Sequence, residues 1–441
     1  MLLTGWGRYP AHTAQVHQPR TEASIRNILE NEPNVIARGN GRAYGDSAIN
    51  QGATIHTKHL NHLISFDSVN GEVIAEAGVQ ISDLISTFLH LGWFPLVTPG
   101  TKYVTIGGAI AADIHGKNHH KNGSFRNSVI WIDVMDGSGE ITRCSQNYNS
   151  LLFDNTLGGM GLTGIIIRAA LRLRPVETGW IKQKTITAPD LNTAMNAFEN
   201  AKDSTYSVAW IDCLARGNAL GRSLVMLGEH AALKDLPPEK LNKPYDTDVR
   251  GKYSVPMDFP KSILNQYSVR AFNALYYRMG KRKNEHNLVN WDSYFYPLDR
   301  ILNWNRIYGR NGFAQFQCVL PLSQSEKGLT ELLETISNQR SGSFLAVLKR
   351  LGPQKGCFSF PMEGYTLALD FPINPKALAL LEILDQITVN RGGRFYLAKD
   401  SRMSADTLST SDQRVDTFKA NQKKLNATAK FRSAQSERLK I

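Results

Sequence analysis

The segment from Thr105 to His120, TIGGAIAADIHGKNHH, places three histidines and a lysine directly after a run of small residues. Such a segment could form a metal site, a phosphate-binding loop or the wall of a cofactor pocket. Metal is the weakest of these, because His115 and His119 have i, i+4 spacing but no H-E-x-x-H motif or cysteine cluster accompanies them. A lysine and histidines beside small residues favour a pocket wall that presents charge to a cofactor or an oxyanion.

Two nucleotide-binding motifs are incomplete in the glycine-rich segments. GNGRAYG, residues 39–45, has the wrong glycine spacing for the Rossmann fingerprint and opens no helix followed by the expected acid. AADIHGKN has Ala111 where a P-loop begins with glycine, and Asn118 replaces the Ser or Thr that holds magnesium. Neither motif therefore predicts a nucleotide site.

Three glycine-rich segments remain: ARGNGRAYGDSA, TPGTKYVTIGGAIAADIHG and LGGMGLTG. Glycine lets backbone N–H groups approach an anion without an intervening Cβ. Three such loops in one strand-rich region could surround one long diphosphate cofactor. The alternative is that each is only a tight turn.

The elements that would position these loops are short strands joined by turns. LISFDSVNGEVIAEAG predicts a hairpin around Asn70-Gly71, and VIWIDVMDGSGEITRC predicts a second one. ISDLISTFLHLG predicts a helix that ends at Gly92. LTGIIIRAALRLRP predicts a strand that stops at Pro175.

Beyond about Glu177, helices and strands alternate. DLNTAMNAFENAK predicts a helix, and YSVAWIDCLA, GFAQFQCVLPL, SFLAVLKRLG, YTLALDFPI and RFYLA predict strands. A basic, aromatic-rich insertion spans about 249–287. A chain of 441 residues exceeds one ordinary core, so the sequence predicts two domains of α+β class.

Composition narrows the cellular setting. Four scattered cysteines, no secretory signal and no apolar run of about 18 residues predict a cytoplasmic protein. The net charge is +12, and the segment from Phe418 to Ile441 holds seven basic residues against one acid. That segment could be a solvated helix or a surface that meets anionic lipid. Nucleic acid fits poorly, because no binding motif accompanies the charge.

Three segments, taken in order, resemble the FAD domain of vanillyl-alcohol-oxidase-type flavoproteins. They are GRAYGD, TPGTKYVTIGGAIAADIHGKNHH and GGMGLTGI. More narrowly, the chain resembles the family of decaprenylphosphoryl-β-D-ribose 2'-oxidases. The further segments that carry this resemblance are AWID, YPLDRILNWNRIYGRNGFAQFQ, LKRLGP, SFPMEGYTLALDFPI and YLAKDSR. The resemblance implies a two-domain vanillyl-alcohol-oxidase/PCMH-type fold with an inserted antiparallel-sheet substrate domain. It would divide the chain into an FAD domain (1–178), a substrate domain (179–393) and a C-terminal segment (394–441) that returns to the FAD domain.

The resemblance also implies where the cofactor lies. FAD would be bound by Arg38, Gly39, Asn40, Gly41, Arg42, Ala43, Tyr44, Gly45, Asp46, Gly100, Thr105, Ile106, Gly107, Gly108, Ala112, Asp113, Ile114, His115, Ile165 and Tyr396. AADIHGKNHH would be a strand and loop along the flavin, with His115 and Lys117 facing the substrate. Many relatives attach FAD through a histidine of the first glycine-rich loop. GNGRAYGD has none, so FAD is expected to be non-covalent.

The implied reaction oxidises the C2' hydroxyl of a polyprenylphosphoryl ribofuranose to a ketone. A short-chain reductase partner would then complete epimerisation to the arabinofuranose donor for cell-envelope glycan. Such chemistry needs a base and positive charge beside the hydroxyl. The catalytic candidates are Lys399, His115 and Tyr44, and the substrate-binding candidates are Lys117, Gln317, Lys349 and Lys399. The lysines could instead bind the sugar phosphate.

Two departures from the family pattern stand out. Ala368 occupies the position where some relatives have a cysteine beside the flavin, so thiol-trapping inhibitors are expected not to label this chain. SYFYPLD offers Phe295 and Tyr296 where relatives have a tyrosine followed by histidine. In the insertion, SVRAFNALYYRMGKRK could lie on a membrane and admit a polyprenyl chain, giving a peripheral location at the inner face, or it could be a disordered surface loop.

Three other functions stay open at this point. The chain could be a soluble FAD-dependent oxidase of a free sugar, alditol or aldonolactone, since such enzymes share the FAD domain. It could be a flavin-binding subunit without activity that anchors a reductase at the membrane. A nucleic-acid-binding protein is the third.

Overall fold

A computed structural model describes residues 1–247, 253–260, 263–282, 285–427 and 430–441 of the chain. Its first part contains β1 (Leu2–Thr4), β2 (Ala11–Thr13), β3 (Gln15–His17), α1 (Glu22–Asn31), β4 (Val35–Arg38), β5 (Ala53–His56), β6 (Leu63–Asp67), β7 (Glu72–Glu76), α2 (Ile81–Phe88), β8 (Trp93–Pro95), α3 (Ile106–Ala111), α4 (His119–Asn122), β9 (Val129–Met135), β10 (Ile141–Ser145), α5 (Ser150–Thr156) and β11 (Ile165–Pro175).

These strands form a parallel sheet, β3-β5-β4, and an antiparallel sheet, β10-β9-β11-β7-β6, with β8 paired to β11. Both predicted hairpins are confirmed, since β6 pairs with β7 and β9 with β10. The hairpin turn at Gly71 has φ +67°, which glycine adopts without strain. The predicted helix α2 is confirmed as well. It continues as a 3-10 turn, Leu89–Leu91, and ends at Gly92.

The remaining elements begin at Trp180. They are β12 (Trp180–Ala188), α6 (Leu191–Asn200), β13 (Tyr206–Ile211), β14 (Ser223–His230), α7 (Pro238–Leu241), β15 (Tyr253–Ser254), α8 (Gln266–Arg282), β16 (His286–Asn290), α9 (Trp291–Phe295), β17 (Ile301–Leu302), β18 (Phe313–Pro321), α10 (Leu322–Asn338), β19 (Ala346–Leu351), β20 (Gly364–Pro372), α11 (Pro375–Asn390), β21 (Arg394–Phe395), α12 (Ala405–Ser411), α13 (Arg414–Lys424) and α14 (Ala434–Leu439).

An eight-stranded antiparallel sheet, β16-β12-β14-β13-β19-β20-β18-β21, organises this second part. One face packs on α10 and α11, where Phe316, Leu348 and Leu367 are buried in a core shared with Leu332 and Leu381. Successive side chains of a strand point to opposite faces of the sheet, so the neighbours of Phe316, Leu348 and Leu367 along their strands face away from α10 and α11. The combination of helices with antiparallel sheets confirms the α+β class predicted from the sequence.

The last helices return to the first part of the chain. The N–H of Arg432 donates to the Val35 carbonyl at 3.0 Å, and Arg438 bridges Asp46 (2.8 Å) and Asp400 (2.9 Å). Arg394 and Phe395 still belong to the eight-stranded sheet through β18. The domain boundaries at 178 and 393 stay a prediction.

Two local predictions are wrong. AADIHGKNHH, residues 111–120, holds the last residue of α3, a loop and the start of α4 rather than a strand, because the Thr105 hydroxyl caps α3 by accepting the Gly108 N–H. The predicted strand RFYLA contains only Arg394 and Phe395. It stops because the chain turns at Tyr396, whose carbonyl accepts the Lys399 N–H at 2.8 Å.

The basic C-terminal segment and the basic, aromatic-rich insertion each had two possible interpretations from the sequence. The basic C-terminal segment is used partly inside the protein: Lys430 Nζ donates to the Glu32 carbonyl at 2.7 Å, and Arg438 binds the two carboxylates named above. Part of the insertion forms helix α8, on which Tyr267, Leu275 and Met279 are exposed. Residues 249–252, 261, 262, 283 and 284 of the insertion lie outside the described residues. Among the described helices, none has the length and apolarity to cross a membrane.

Candidate active site

A cavity of about 510 Å³ lies between the glycine-rich segments and the free face of the eight-stranded sheet. The sheet contributes alternate residues of three neighbouring strands: Gln315 and Gln317 of β18, Val347 and Lys349 of β19, and Thr366, Ala368 and Asp370 of β20. Pairing places Gln317 opposite Ala368 and Lys349 opposite Thr366. The polar residues therefore meet because their strands are in this register.

Most of the residues expected to bind FAD or substrate line this cavity. They are Gly39, Asn40, Gly41, Arg42, Ala43, Tyr44, Gly100, Thr105, Gly107, Gly108, Ala112, Ile114, His115, Gln317, Lys349, Tyr396 and Lys399. The three glycine-rich segments thus converge on one cavity, together with Met160, Gly161 and Gly164 of LGGMGLTG.

Seven expected residues do not line the cavity: Arg38, Gly45, Asp46, Ile106, Asp113, Lys117 and Ile165. Ile106 and Ile165 are fully buried in hydrophobic cores. Gly45 packs so tightly that a Cβ there would lie 2.1 Å from the Asp400 carbonyl oxygen. These three positions shape the walls from behind.

The polar members of that set have other partners. Arg38 donates to the Thr4 carbonyl at 2.8 Å, and Asp46 accepts from Arg438. Asp113 accepts from Ser359 and from the Arg126 N–H. The Lys117 ammonium donates to the Tyr294 carbonyl and lies 4.3 Å from the centroid of the Tyr294 ring. Burial and the charge of Lys349 lower the Lys117 pKa to about 7.

Several lining residues escaped sequence analysis, including Gln315, Asp370, Asp299, Trp6 and Trp304. A signal existed for the first two. In FAQFQC and YTLALD, polar residues alternate with apolar ones, which is the pattern of a strand with one polar face. No such signal marks the tryptophans.

Lys399 and Asp370 form the centre of the site. The Lys399 ammonium lies 3.6 Å from the centroid of the Tyr44 ring. Burial lowers its pKa, as does the charge of Lys349, while the carboxylate of Asp370 acts in the opposite direction. Burial raises the pKa of Asp370, which accepts hydrogen bonds from Tyr308 (3.3 Å) and Gln315.

His115 completes the polar wall as a neutral imidazole. Burial holds its pKa well below the usual value, and the nearby charges of Lys349 and Lys399 lower it further. Gln317 Nε2 lies 3.0 Å from His115 Nε2. An amide nitrogen can only donate, so His115 Nε2 accepts and Nδ1 carries the proton. Within the described chain, Nδ1 is buried and has no hydrogen-bond partner.

This arrangement can remove a proton and stabilise the negative charge that results. A lysine with a lowered pKa has a neutral form that accepts a proton near pH 7. Burial lowers the Lys349 pKa to about 8, so Lys349 remains mainly cationic at neutral pH and can stabilise an oxyanion nearby. No group of three or more metal-ligating side chains occurs among the described residues.

The walls also fit an FAD molecule. The volume falls within the ~300–1,000 Å³ of ligand sites. At Gly39 a Cβ would lie 2.2 Å from Thr105 Oγ1, so the first two glycine-rich segments approach closely only because this side chain is absent. At Gly100 no atom lies within 4 Å of the Cβ position. Backbone N–H groups of both segments would hold the diphosphate, and Ile114, Tyr396 and Ala112 would contact the ring system.

Comparison with known proteins agrees with this chemistry. The family model described as an FAD binding domain matches residues 13–145. Over 452 residues the chain is 36% identical to decaprenylphosphoryl-beta-D-ribose oxidase of Mycolicibacterium smegmatis, covering 100% of this chain and 97% of that protein. It is 31% identical to cytokinin dehydrogenase 10 of Oryza sativa over 34% of this chain and 29% of that enzyme. It is 25% identical to L-gulonolactone oxidase of Mus musculus over 38% of this chain and 40% of that enzyme.

Proposed function

The chain belongs to the decaprenylphosphoryl-β-D-ribose oxidase family of FAD-dependent oxidoreductases, and from this premise we propose that it oxidises the C2' hydroxyl of a polyprenylphosphoryl-β-D-ribofuranose to the 2'-keto sugar. The observation that carries the proposal is the half-buried Lys399, whose ammonium lies against the Tyr44 ring, at a cavity that Asp370, Lys349 and His115 also line. These groups suit an alcohol that must lose a proton and a hydride.

Bound FAD supplies the acceptor for the two electrons of the alcohol. The protein supplies the remaining functions. Neutral Lys399 accepts the proton of the C2' hydroxyl, and Asp370 holds the resulting ammonium in place. Lys349 stabilises the developing negative charge on oxygen, and the Nδ1–H of His115 donates to a sugar oxygen. Gln317 fixes the tautomer and orientation of His115 through its hydrogen bond to Nε2.

The lipid end of the substrate fits the apolar part of the cavity lining. Leu298, Ile301, Leu302 and Trp304 contribute to that part, and Leu302 is itself exposed. The first isoprene units would lie along these side chains, with the remaining chain outside the protein. The exposed apolar residues of α8, together with its basic Arg278, suit contact with a membrane surface. We propose that the enzyme is cytoplasmic and binds peripherally to the inner face of the membrane.

The 2'-keto product has to be reduced from the opposite face to give the arabinose epimer. The partner we propose is a short-chain reductase that uses a nicotinamide cofactor. FAD is held without a covalent bond, since residues 39–46 contain neither histidine nor cysteine. Denaturation should release it intact.

The test is anaerobic reduction of the purified yellow protein by polyprenylphosphoryl ribose, followed by flavin absorbance. We expect bleaching that requires the lipid phosphate and falls by about 100-fold or more in Lys399→Ala, the range for loss of a general base. Lys424→Ala, at an exposed position of α13, is the matched control and should behave as wild type.

Three results would contradict the proposal. Bleaching by free sugars without lipid phosphate would indicate a soluble sugar, alditol or aldonolactone oxidase. A stable complex with the reductase, but no bleaching by any sugar, would indicate an anchoring subunit. A Lys399→Ala protein as active as Lys424→Ala would remove the assigned base.

A further inference from the structure

A second cavity, of about 400 Å³, opens beside the first and contains four arginines, Arg8, Arg38, Arg42 and Arg306. We refer to it as the arginine cavity. The two cavities share Trp6, Asn40, Gly41, Arg42 and Asn303. Among the described residues, no Asp or Glu lines the arginine cavity. Its lining is therefore strongly cationic and suited to an anion.

Three of the four guanidinium groups are held by the protein itself. Arg8 forms an ion pair with Asp258. Arg38 donates to the Thr4 carbonyl at 2.8 Å, and Arg306 donates to the carbonyls of Val255 (3.1 Å) and Pro256 (2.9 Å). These groups fix the shape of the cavity.

Arg42 differs from the other three. Its guanidinium lies 4.2 Å from the centroid of the Trp6 ring and 5.5 Å from that of Tyr103. Stacking on these rings orients the group without using its N–H donors. Its Nε is buried without a hydrogen-bond partner, and across the described residues the group donates to no carboxylate or carbonyl. A planar, oriented guanidinium with unused donors matches the oxygens of a phosphate ester.

The position of Arg42 favours the substrate's phosphate over that of the cofactor. Arg42 lies two residues before Tyr44, whose ring contacts Lys399. The arginine cavity includes Asn303, Asn305 and Arg306 from the chain around β17, but no residue from 100–115 or 160–166. It therefore extends toward the proposed lipid path, in which Ile301 and Leu302 directly precede Asn303.

We propose that Arg42 binds the phosphodiester that joins the ribose to the polyprenyl chain. This assignment rests on the proposed function and deepens it, because it explains how a sugar bearing a lipid phosphate is distinguished from a free sugar. Lys349 and Lys399 are then left for the reacting hydroxyl. The other source of the same chemistry is the diphosphate of FAD, which the following experiment separates.

The experiment uses the FAD-loaded protein and farnesyl phosphate as the probe, with farnesol as its uncharged counterpart. In Arg42→Met, which keeps an apolar side chain over Trp6, we expect the dissociation constant of farnesyl phosphate to rise by about 10- to 100-fold, the effect of one lost charged hydrogen-bonding group. Farnesol binding and the ratio of FAD to protein should not change. Arg42→Lys should recover part of the affinity. Arg172→Met removes an arginine that is 60% exposed and should match wild type.

Each other outcome has a defined meaning. Loss of FAD with unchanged farnesyl phosphate affinity would assign Arg42 to the cofactor diphosphate and overturn the proposal. Equal weakening of farnesyl phosphate and farnesol, in Arg42→Lys as in Arg42→Met, would reduce Arg42 to a packing role and overturn it too. If wild type binds farnesyl phosphate through Arg42 but farnesylphosphoryl ribose leaves its flavin oxidised, the phosphate subsite stands and the proposed oxidation fails.

Discussion

The ammonium of Lys399 rests on the face of the Tyr44 ring, 3.6 Å from its centroid, although the two residues lie near opposite ends of the sequence. Phe313 holds that ring from its edge, with the ring centroids 5.4 Å apart. A cation over an aromatic face is stabilised by ~0.5–2 kcal/mol. Tyr44 thus positions Lys399 and favours its charged form.

Replacing the Tyr44 ring should show how much the contact between the ring and the Lys399 ammonium contributes to the rate. In Tyr44→Leu we expect the rate of flavin reduction to fall by about 10-fold, because the ammonium formed on proton transfer loses its aromatic contact. Tyr44→Phe keeps the ring and should retain most of the rate. The measurement is single-turnover reduction under anaerobic conditions. Equal rates in both variants would show that the ring face has no part in catalysis.

Removing the carboxylate of Asp370 should shift the pH dependence of the reaction. Asp370 raises the pKa of Lys399, whereas burial and Lys349 lower it. In Asp370→Asn the Lys399 pKa therefore falls further, and neutral lysine persists to lower pH. We expect the rising limb of kcat/KM against pH to move toward acid, as long as the protein remains folded by circular dichroism. A limb that stays in place, or moves toward base, would contradict Lys399 as the base.

Lys349 should cost the protein stability at neutral pH. Its pKa falls from 10.5 to about 8 on folding, so the unfolded chain holds this proton more tightly. The cost is complete below pH 8 and disappears as the pH rises toward 10.5. Lys349→Met should therefore raise the free energy of unfolding by about 1–3 kcal/mol at pH 7, and by less at pH 9.5. Urea unfolding at the two pH values measures the difference. If the variant and wild type differ in free energy of unfolding by the same amount at both pH values, packing rather than protonation explains the difference.

A cysteine at position 368 should be accessible only from the cavity. Ala368 lines the cavity, and the four native cysteines do not. A thiol reagent small enough to enter should label Ala368→Cys, and bound FAD or substrate should slow the labelling. Wild type, treated in parallel and digested for mass spectrometry, should show no adduct in the peptide that contains residue 368. Labelling at the same rate with and without ligands would place that residue away from the bound molecules.

Gly100 offers a test of the FAD site itself. No atom lies within 4 Å of the position a Cβ would occupy, so the walls leave open space where a side chain at this position begins. Gly100→Leu should fold normally but purify with less than half of the wild-type FAD content. Flavin absorbance relative to protein, together with thermal unfolding, checks both statements. Full FAD content would exclude Gly100 from the cofactor site.

The sequence predicted local elements of the fold well, but it did not predict contacts between residues that are distant in the chain. The hairpins and α2 followed from turn residues and periodicity within a few positions. The FAD-binding fold expected from the resemblance is confirmed by the family match. Asp370 was missed because its place beside Lys399 depends on the register of β18 and β20 and on the turn after β21. The unused donors of Arg42 were missed for a similar reason, since they depend on a stack with Trp6.

The bridge from Arg438 to Asp46 and Asp400 has a consequence for the order of events during biosynthesis. The cavity needs Gly39 and Gly108 from early in the chain, but also Lys349 and Lys399, which leave the ribosome much later. Arg438 then ties the loop after β4 to the loop that carries Lys399. A nascent chain of 178 residues therefore lacks Tyr396, which would contact the ring system of FAD, and the tie that Arg438 makes. We therefore expect stable flavin binding only after the sheet and α14 have been translated.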